Sequence, residues 1–191
     1  MCADSARVAY PLFQGEGGGA NPTSALQLTI ERISFEKAVE LNRKWHSILP
    51  RFGTGFIAIQ PFPCYAATFE GLIYAVAIWS NPCARNLPQE TWLELRRMAI
   101  NGAPKNTASR MLRIMRMLLH KDRPEIIRVV SYQSKSVHSG TIYRADGWTP
   151  VTECAADVWD RPGRPRQASQ QSDIRVRWER PIVGAPDAVA R

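Results

Sequence analysis

The stretch Gly102-Ala103-Pro104-Lys105-Asn106-Thr107-Ala108-Ser109, leading straight into Arg110-Met-Leu-Arg-Ile-Met-Arg-Met-Leu-Leu119, decides how the rest of the chain is read. Ala108, Met111, Leu112, Met115, Leu118 and Leu119 recur at three- and four-residue steps, which predicts one apolar face of a helix. Asn106 stands where an N-cap belongs, and a helix start leaves the amides of Thr107, Ala108 and Ser109 without acceptors inside the helix. Those donors, the positive end of the helix dipole, the charge of Lys105 and the hydroxyl of Ser109 together suit an anion such as a pyrophosphate. The same residues also suit a plain capped surface helix beside a solvated lysine. Neither a Walker A loop nor a G-x-G-x-x-G fingerprint is present.

Working upstream, Thr91–Ile100 reads as a strand, and Gly71–Trp79 as an almost wholly apolar one, the pattern of a strand buried on both faces. Thr54–Ile59 is a further strand candidate, and Pro61-Phe-Pro-Cys-Tyr65 predicts a long loop rather than a tight hairpin. Leu26–Ile33 alternates like a half-buried strand. Ser34 is placed to cap a helix that carries Phe35, Ala38, Val39, Leu41 and Trp45 and ends around His46–Ser47.

Downstream, Pro124 stops the central helix, and Ile126–Tyr132 is a β-rich run. A short helix over Gly140–Ala145, a strand from Trp148 and another over Asp173–Glu179 follow. The predicted order is β-α-β-β-β-α-β-α-β-β, which favours a mixed α/β sheet covered by two or three helices. Residues 1–25, with Gly15-Glu-Gly-Gly-Gly19, read as a flexible arm, residues 26–180 as one catalytic domain, and residues 181–191 as a tail. Residues 156–172 are rich in Arg, Pro, Gly and Gln without periodicity, and read as a flexible basic loop.

At 191 residues the chain suits a single domain with a real core. It has no apolar run long enough to span a membrane and no signal peptide, so a cytoplasmic location is expected. Cys2, Cys64, Cys83 and Cys154 form no C-x-x-C pair, and His46, His120 and His138 complete no metal-ligand spacing. A net charge of +8, mostly from arginine, fits a polyanionic partner or simply a basic surface.

The run Glu94-Leu-Arg-Arg97-Met98-Ala99-Ile, then Gly-Ala-Pro-Lys105-Asn-Thr-Ala-Ser109, then Val130-Ser-Tyr-Gln, and finally His138-Ser-Gly140-Thr-Ile-Tyr143-Arg-Ala-Asp-Gly-Trp148 resembles the Mom proteins of Mu-like bacteriophages. These are divergent members of the GNAT acyltransferase superfamily. The resemblance spans roughly residues 28–180, with its specific part at 94–148. It implies a GNAT-like, mixed and mostly antiparallel central sheet flanked by helices. It also implies an enzyme that hypermodifies adenine N6 in double-stranded phage DNA to a methylcarbamoyl-type base, blocking restriction. Acetyl-CoA is the implied donor. The family is associated with iron, for which this sequence offers no assignable ligands.

Carried across by residue, the resemblance gives coenzyme binding to Arg97, Met98, Ala99, Lys105, Asn106, Thr107, Ala108 and Ser109. It places His46, at the end of the first helix, and Tyr143, of the G-x-I-Y run, near the chemistry. Tyr143 would protonate the departing thiolate or bond its sulfur, and His46 would act as base or orienter, or merely cap its helix. Relatives often carry an aspartate where this chain has Ser134; either that acidic role is absent or a carboxylate such as Glu94 fills it.

Trp45, Tyr65 and Trp79 are candidates to hold a flipped-out base, although large aromatics usually pack cores. Arg161, Arg164 and Arg166 in the basic loop suit a DNA arm. Arg110, Arg113 and Arg116 form a stripe with three readings: solvated face, phosphate contact, or DNA contact. Glu94 and Arg96 suit a structural ion pair. Two other functions stay open: an N-acetyltransferase for a small amine or protein, and a DNA-binding module with a degenerate acyl-CoA pocket.

Overall fold

The computed structural model describes residues 21–46, 63–154 and 174–182. The expected strand at Thr54–Ile59, the basic loop 156–172 with Arg161, Arg164 and Arg166, and most of the expected arm and tail lie outside the described residues. Seven strands form one sheet: β1 (Thr29–Ile33), β2 (Cys64–Phe69), β3 (Leu72–Ser80), β4 (Trp92–Ile100), β5 (Arg128–Ser134), β6 (Thr149–Cys154) and β7 (Arg175–Pro181). Three helices accompany it: α1 (Phe35–Trp45), α2 (Thr107–Asp122) and α3 (Thr141–Ala145). The spatial order is β1-β2-β3-β4-β5-β7-β6, antiparallel throughout except for the parallel pair β4–β5.

β1, α1 and the elements from β3 onward follow the expected order, whereas β2 was not among the expected strands and the start of β1 moved. Ala25–Gln27 is a single 3-10 turn rather than the start of a strand. Ser24 Oγ accepts from Leu26 N while Gln27 Oε1 accepts from Ser24 N, and these bonds close the turn before β1 begins. The second described strand is Cys64–Phe69, which begins inside the stretch expected to be loop. Pro63 only precedes it, and its carbonyl accepts from Trp79 N. The turn to β3 is two residues, Glu70 and Gly71, both at positive φ, as a tight hairpin requires. At the other end, β7 runs through Pro181 and Ile182 is buried, so the folded part continues past the expected limit at 180.

β2 and β3 are apolar along their length because both faces are covered. Ala75, Ala77 and Trp79 face the main core with Met111, Leu112, Met115 and Leu119 of α2. Val76 and Ile78 face α1, where Ala38 packs with Ile78 and Cys64, and Leu41 with Ala66, Val76 and Ala99. Ser34 caps α1 as expected, its Oγ accepting from Lys37 N at 3.2 Å. The arginine stripe of α2 does not act as one unit. Arg113 is exposed, Arg110 donates to Leu28 O at 2.8 Å, and Arg116 is buried with two bonds to Asp146 at 3.0 and 2.9 Å. No helix among the described residues is long and apolar enough to cross a membrane.

Candidate functional site

The site begins where the sheet opens. β4 and β5 pair in parallel from Trp92/Arg128 to Leu95/Ser131, and there the pairing stops, although β4 continues to Ile100 and β5 to Ser134. A register shift against β3 falls at the same level, with Trp79 opposite Leu95 and Ile78 opposite Arg97, leaving Arg96 as the extra residue of a bulge. The strands therefore part into a fork whose inner edges are free of each other's hydrogen bonds.

Ser131 and Tyr143 meet at the base of the fork. The Ser131 Oγ donates to Leu95 O at 3.2 Å and lies 2.9 Å from the Tyr143 hydroxyl. Tyr143 stacks on Trp178, with ring centroids 5.3 Å apart, and meets Trp148 edge-on at 5.4 Å. Burial pushes its phenol pKa up, with the Ser131 bond opposing in part, so the group is protonated and able to donate near neutral pH. Gly140, at φ +75°, makes this packing possible: a Cβ there would stand 2.5 Å from Trp178 and 2.6 Å from Gln133. Gln133 in turn accepts from Trp178 Nε1 at 2.7 Å and donates to His138 O. Ser131 and Gln133 were not singled out in the sequence; a serine and a glutamine flanking Tyr132 on an otherwise apolar strand were the available signal.

At the far end of β4 lies the start of α2. Asn106 occupies the N-cap position with left-handed backbone, φ +68°, and its side chain makes no capping bond, contrary to the expected role. The local bonds come from its neighbours: Thr107 Oγ1 donates to Pro104 O at 2.7 Å, and Ser109 Oγ to Asn106 O at 3.1 Å. The Thr107 amide is also taken, by Pro104 O at 3.3 Å, which leaves the amides of Ala108 and Ser109 as the donors at the helix start. Lys105 is exposed beside them. Met98 packs toward the main core and Ala99 toward α1, so what β4 can offer along its open edge is backbone.

On the opposite face, His46 ends α1 and is half-buried. Burial first, and then the electrostatic influence of Arg97 and His138, lower its pKa and keep His46 neutral. Arg97 donates to Arg96 O at 2.7 Å, and burial together with the positive charges of Arg96 and Arg175 pulls its pKa down to about 10. It remains a cation at neutral pH. Glu94 accepts from Arg96 at 3.0 Å and from Cys83 N at 2.8 Å, the structural pair expected and not a free carboxylate. Ser134, the last residue of β5, has its Oγ 3.4 Å from that of Ser136.

The aromatic candidates divide. Tyr65 is wholly buried in the main core and offers no face to a base; the alternation of β2 turned it inward. Trp79 is likewise enclosed, its Nε1 donating to Met115 Sδ at 3.3 Å. Trp45 is half-buried and packs beside Leu41 and Ala99. No group of three or more His, Cys, Asp or Glu side chains lies together among the described residues, so these residues do not fit an iron site.

Several solved acetyltransferase structures share this fold. The ribosomal-protein-S18-alanine N-acetyltransferase of Escherichia coli superposes with a TM-score of 0.59 at 13% identity, covering 86% of this chain and 99% of that one. A Bacillus subtilis acetyltransferase in complex with CoA gives 0.56 at 13%, covering 82% and 99%. A GNAT superfamily phosphinothricin acetyltransferase from Sinorhizobium meliloti, in complex with acetyl-CoA, gives 0.57 at 13%, covering 82% and 89%. At such identities the likeness establishes the fold. No curated protein sequence matches the chain significantly. Residues 27–173 match the model of the Mom protein family, and the chain belongs to that family.

Proposed function

We propose that the protein modifies adenine at N6 in double-stranded DNA, yielding a methylcarbamoyl-type base that shields phage DNA from restriction, with acetyl-CoA as donor. The observation that carries the coenzyme half is the fork at Leu95/Ser131, with a protonated phenol at its base and two unpaired helix-start amides beyond its open end. Family membership supports DNA as the acceptor, and the net charge of +8 agrees with a polyanion. The CoA and acetyl-CoA held by two of the similar structures support the donor.

Adenine N6 is a weak nucleophile because its lone pair is shared with the ring. Acceleration therefore comes from holding amine and thioester in contact and from stabilising charge as it develops. In this reading the phosphates of the coenzyme rest on the Ala108 and Ser109 amides with Lys105 beside them, and the pantetheine arm runs along the open edge of β4 past Met98 and Ala99. Tyr143 donates to the leaving sulfur. Neutral His46 takes a proton from the amine, and Arg97 supplies positive charge between the two faces. Trp45 and the basic loop with Arg161, Arg164 and Arg166 hold base and backbone. The acetyl group carries no nitrogen: attack of N6 on the thioester releases the CoA thiolate and gives an N6-acetyl base, so the amide nitrogen of a methylcarbamoyl-type product enters in a further step from a separate nitrogen donor.

Mass spectrometry of nucleosides from DNA exposed to the protein in cells tests the reading. A modified deoxyadenosine is expected. Unmodified adenine, with acetylation of an amine or protein instead, would overturn it in favour of an ordinary N-acetyltransferase. If acetyl-CoA does not bind at all, a DNA-binding module replaces both enzymes.

A further inference from the structure

The face of the sheet turned away from α2 and α3 gathers arginine. Val129, Ser131 and Gln133 of β5, with Val176 and Trp178 of β7, lie on the α2 side. Alternation therefore turns Arg128, Tyr132, Arg175, Arg177 and Glu179 the other way. β4 adds to the same face. Leu95 lies in the core with Trp79, whereas Ile78 packs beside α1; Arg97 is the register partner of Ile78, and Glu94 that of Ser80. Arg96, the extra residue of the bulge, donates to Glu94 at 3.0 Å and so joins them. On this face of β4, β5 and β7, five guanidiniums stand against two carboxylates among the described residues.

The ion pairs there are layered. Glu94 and Glu179 keep only 6% and 7% of their side chains exposed, while their partners Arg96, Arg128 and Arg177 keep 18%, 20% and 18%. The carboxylates thus lie beneath and the guanidiniums outermost, so an incoming anion meets positive charge at an outer edge and enters no enclosure. Arg97 and Arg175, both partly exposed, add two further charges. Burial, and then the charges of Arg96 and Arg175, pull the Arg97 pKa down to about 10, so like charges are crowded here at some cost to the fold. Ion pairing accounts for neutral pairs and not for a surplus of one sign.

The surplus also lies over the fork. Tyr132 is the first residue of β5 past its last pair with β4; it stands opposite Arg177 and turns away from Tyr143. Arg96 and Arg97 line one arm of the fork, and Arg175 and Arg177 run beside the other. α1 packs on β2, β3 and Ala99 of β4.

We propose that this face docks the sugar-phosphate backbone of a DNA duplex, with Arg96, Arg128, Arg175 and Arg177 holding successive phosphates across the fork. A guanidinium fork suits a phosphate in bidentate fashion, and a row of them suits a polyanion whatever its sequence. The proposal rests on the DNA-modifying reading above and names the surface and the residues that carry the duplex within it.

Salt titration of duplex binding by the full chain tests it. The slope of log affinity against log salt counts neutralised phosphates, at about 0.9 each. Arg175→Gln and Arg177→Gln are each expected to make that slope shallower by about 1 for any duplex sequence, and to raise KM for modification with kcat retained. Arg177→Gln leaves Glu179 paired with Arg128, and Arg175→Gln relieves repulsion, so neither is expected to melt below the parent. Arg113→Gln, exposed on α2 across the sheet, is expected to keep the parent slope. An unchanged slope in either Arg175→Gln or Arg177→Gln overturns the proposal, and so does an equal change in Arg113→Gln. A lower melting temperature together with lost acetyl-CoA affinity marks a structural role and overturns it too. A parent chain that binds no duplex refutes the DNA reading itself, a result distinct from these.

Discussion

The Tyr143 hydroxyl sits 2.9 Å from Ser131 Oγ at the last parallel pair between β4 and β5, so a phenol on α3 is tied to the point where the sheet opens. Residues 12 positions apart in sequence are joined at the one place where β4 and β5 stop bonding each other. Ser131 also donates to Leu95 O, so in this state the phenol donates its proton to Ser131 Oγ and has to turn from it to reach a sulfur.

Replacing Tyr143 by Phe keeps the ring between Trp148 and Trp178 and removes only the donor. Modification is expected to fall by about 10² to 10⁴, the usual range for a lost general acid, with acetyl-CoA affinity little changed. Ser131→Ala should be milder, since the phenol stays protonated by burial without it. Near-normal activity of Tyr143→Phe, read by nucleoside mass spectrometry, removes the assigned role.

At the start of α2 the structure separates two kinds of serine contribution. Ser109→Ala should weaken acetyl-CoA binding little, because the hydroxyl already donates to Asn106 O and the amide is untouched. Ser109→Glu puts a negative charge among the expected phosphates and should weaken binding about tenfold or more, reversing a helix-start contribution of about 1 kcal/mol. Calorimetric titration of the two variants decides. Equal affinities would move the coenzyme phosphates elsewhere.

How much of this was legible beforehand depends on the range of the interaction. The helices and most strands were readable because α2 shows its apolar face in steps of three and four, and Ser34 caps α1 through a bond three residues long. β2 was missed because the prolines at 61 and 63 carry a local signal for loop, while the partners that make Cys64–Phe69 a strand lie in β1 and β3. Asn106 reads as a cap by residue type, yet Thr107 and Ser109 take the local bonds. Tyr65 and Trp79 are core for a reason that only the sheet's pairing reveals, namely which face of β2 and β3 meets α2. The fork itself had no sequence signature of its own; it emerges because two strands whose partners lie 36 residues apart, as in Leu93↔Val129, cease to pair beyond Leu95↔Ser131.

His46 gives a pH signature. Its folded pKa lies below the unfolded value of 6.5, chiefly through burial, so below that value the unfolded chain takes up a proton that the folded one resists. Stability from this group is therefore complete above pH 6.5, falls as pH drops through the interval down to the lowered folded value, and then levels off. Activity that needs neutral His46 should persist below pH 6.5 before failing. His46→Asn should lose that acid limb in both urea unfolding and rate; an unchanged stability profile would show that His46 is not the group responsible.

Arg116 and Asp146 offer the sharpest stability test, because the pair connects α2 to the residue that caps α3 and so holds Tyr143 in place. Arg116 is 1% and Asp146 6% exposed, with two bonds between them, and Asp146 also accepts from Trp148 Nε1 at 2.8 Å. Arg116→Met strands a buried carboxylate and should cost about 3–5 kcal/mol in urea unfolding. Arg116→Met with Asp146→Leu removes both charges and should recover much of that loss. A residue of about 1–3 kcal/mol should remain, since the Trp148 indole then has no acceptor. If the double variant is no more stable than the single one, the pair is not what binds α3 to α2. If it is stable yet inactive, the ion pair serves to place Tyr143 rather than to stabilise the fold, because only the orientation of α3 separates the two outcomes.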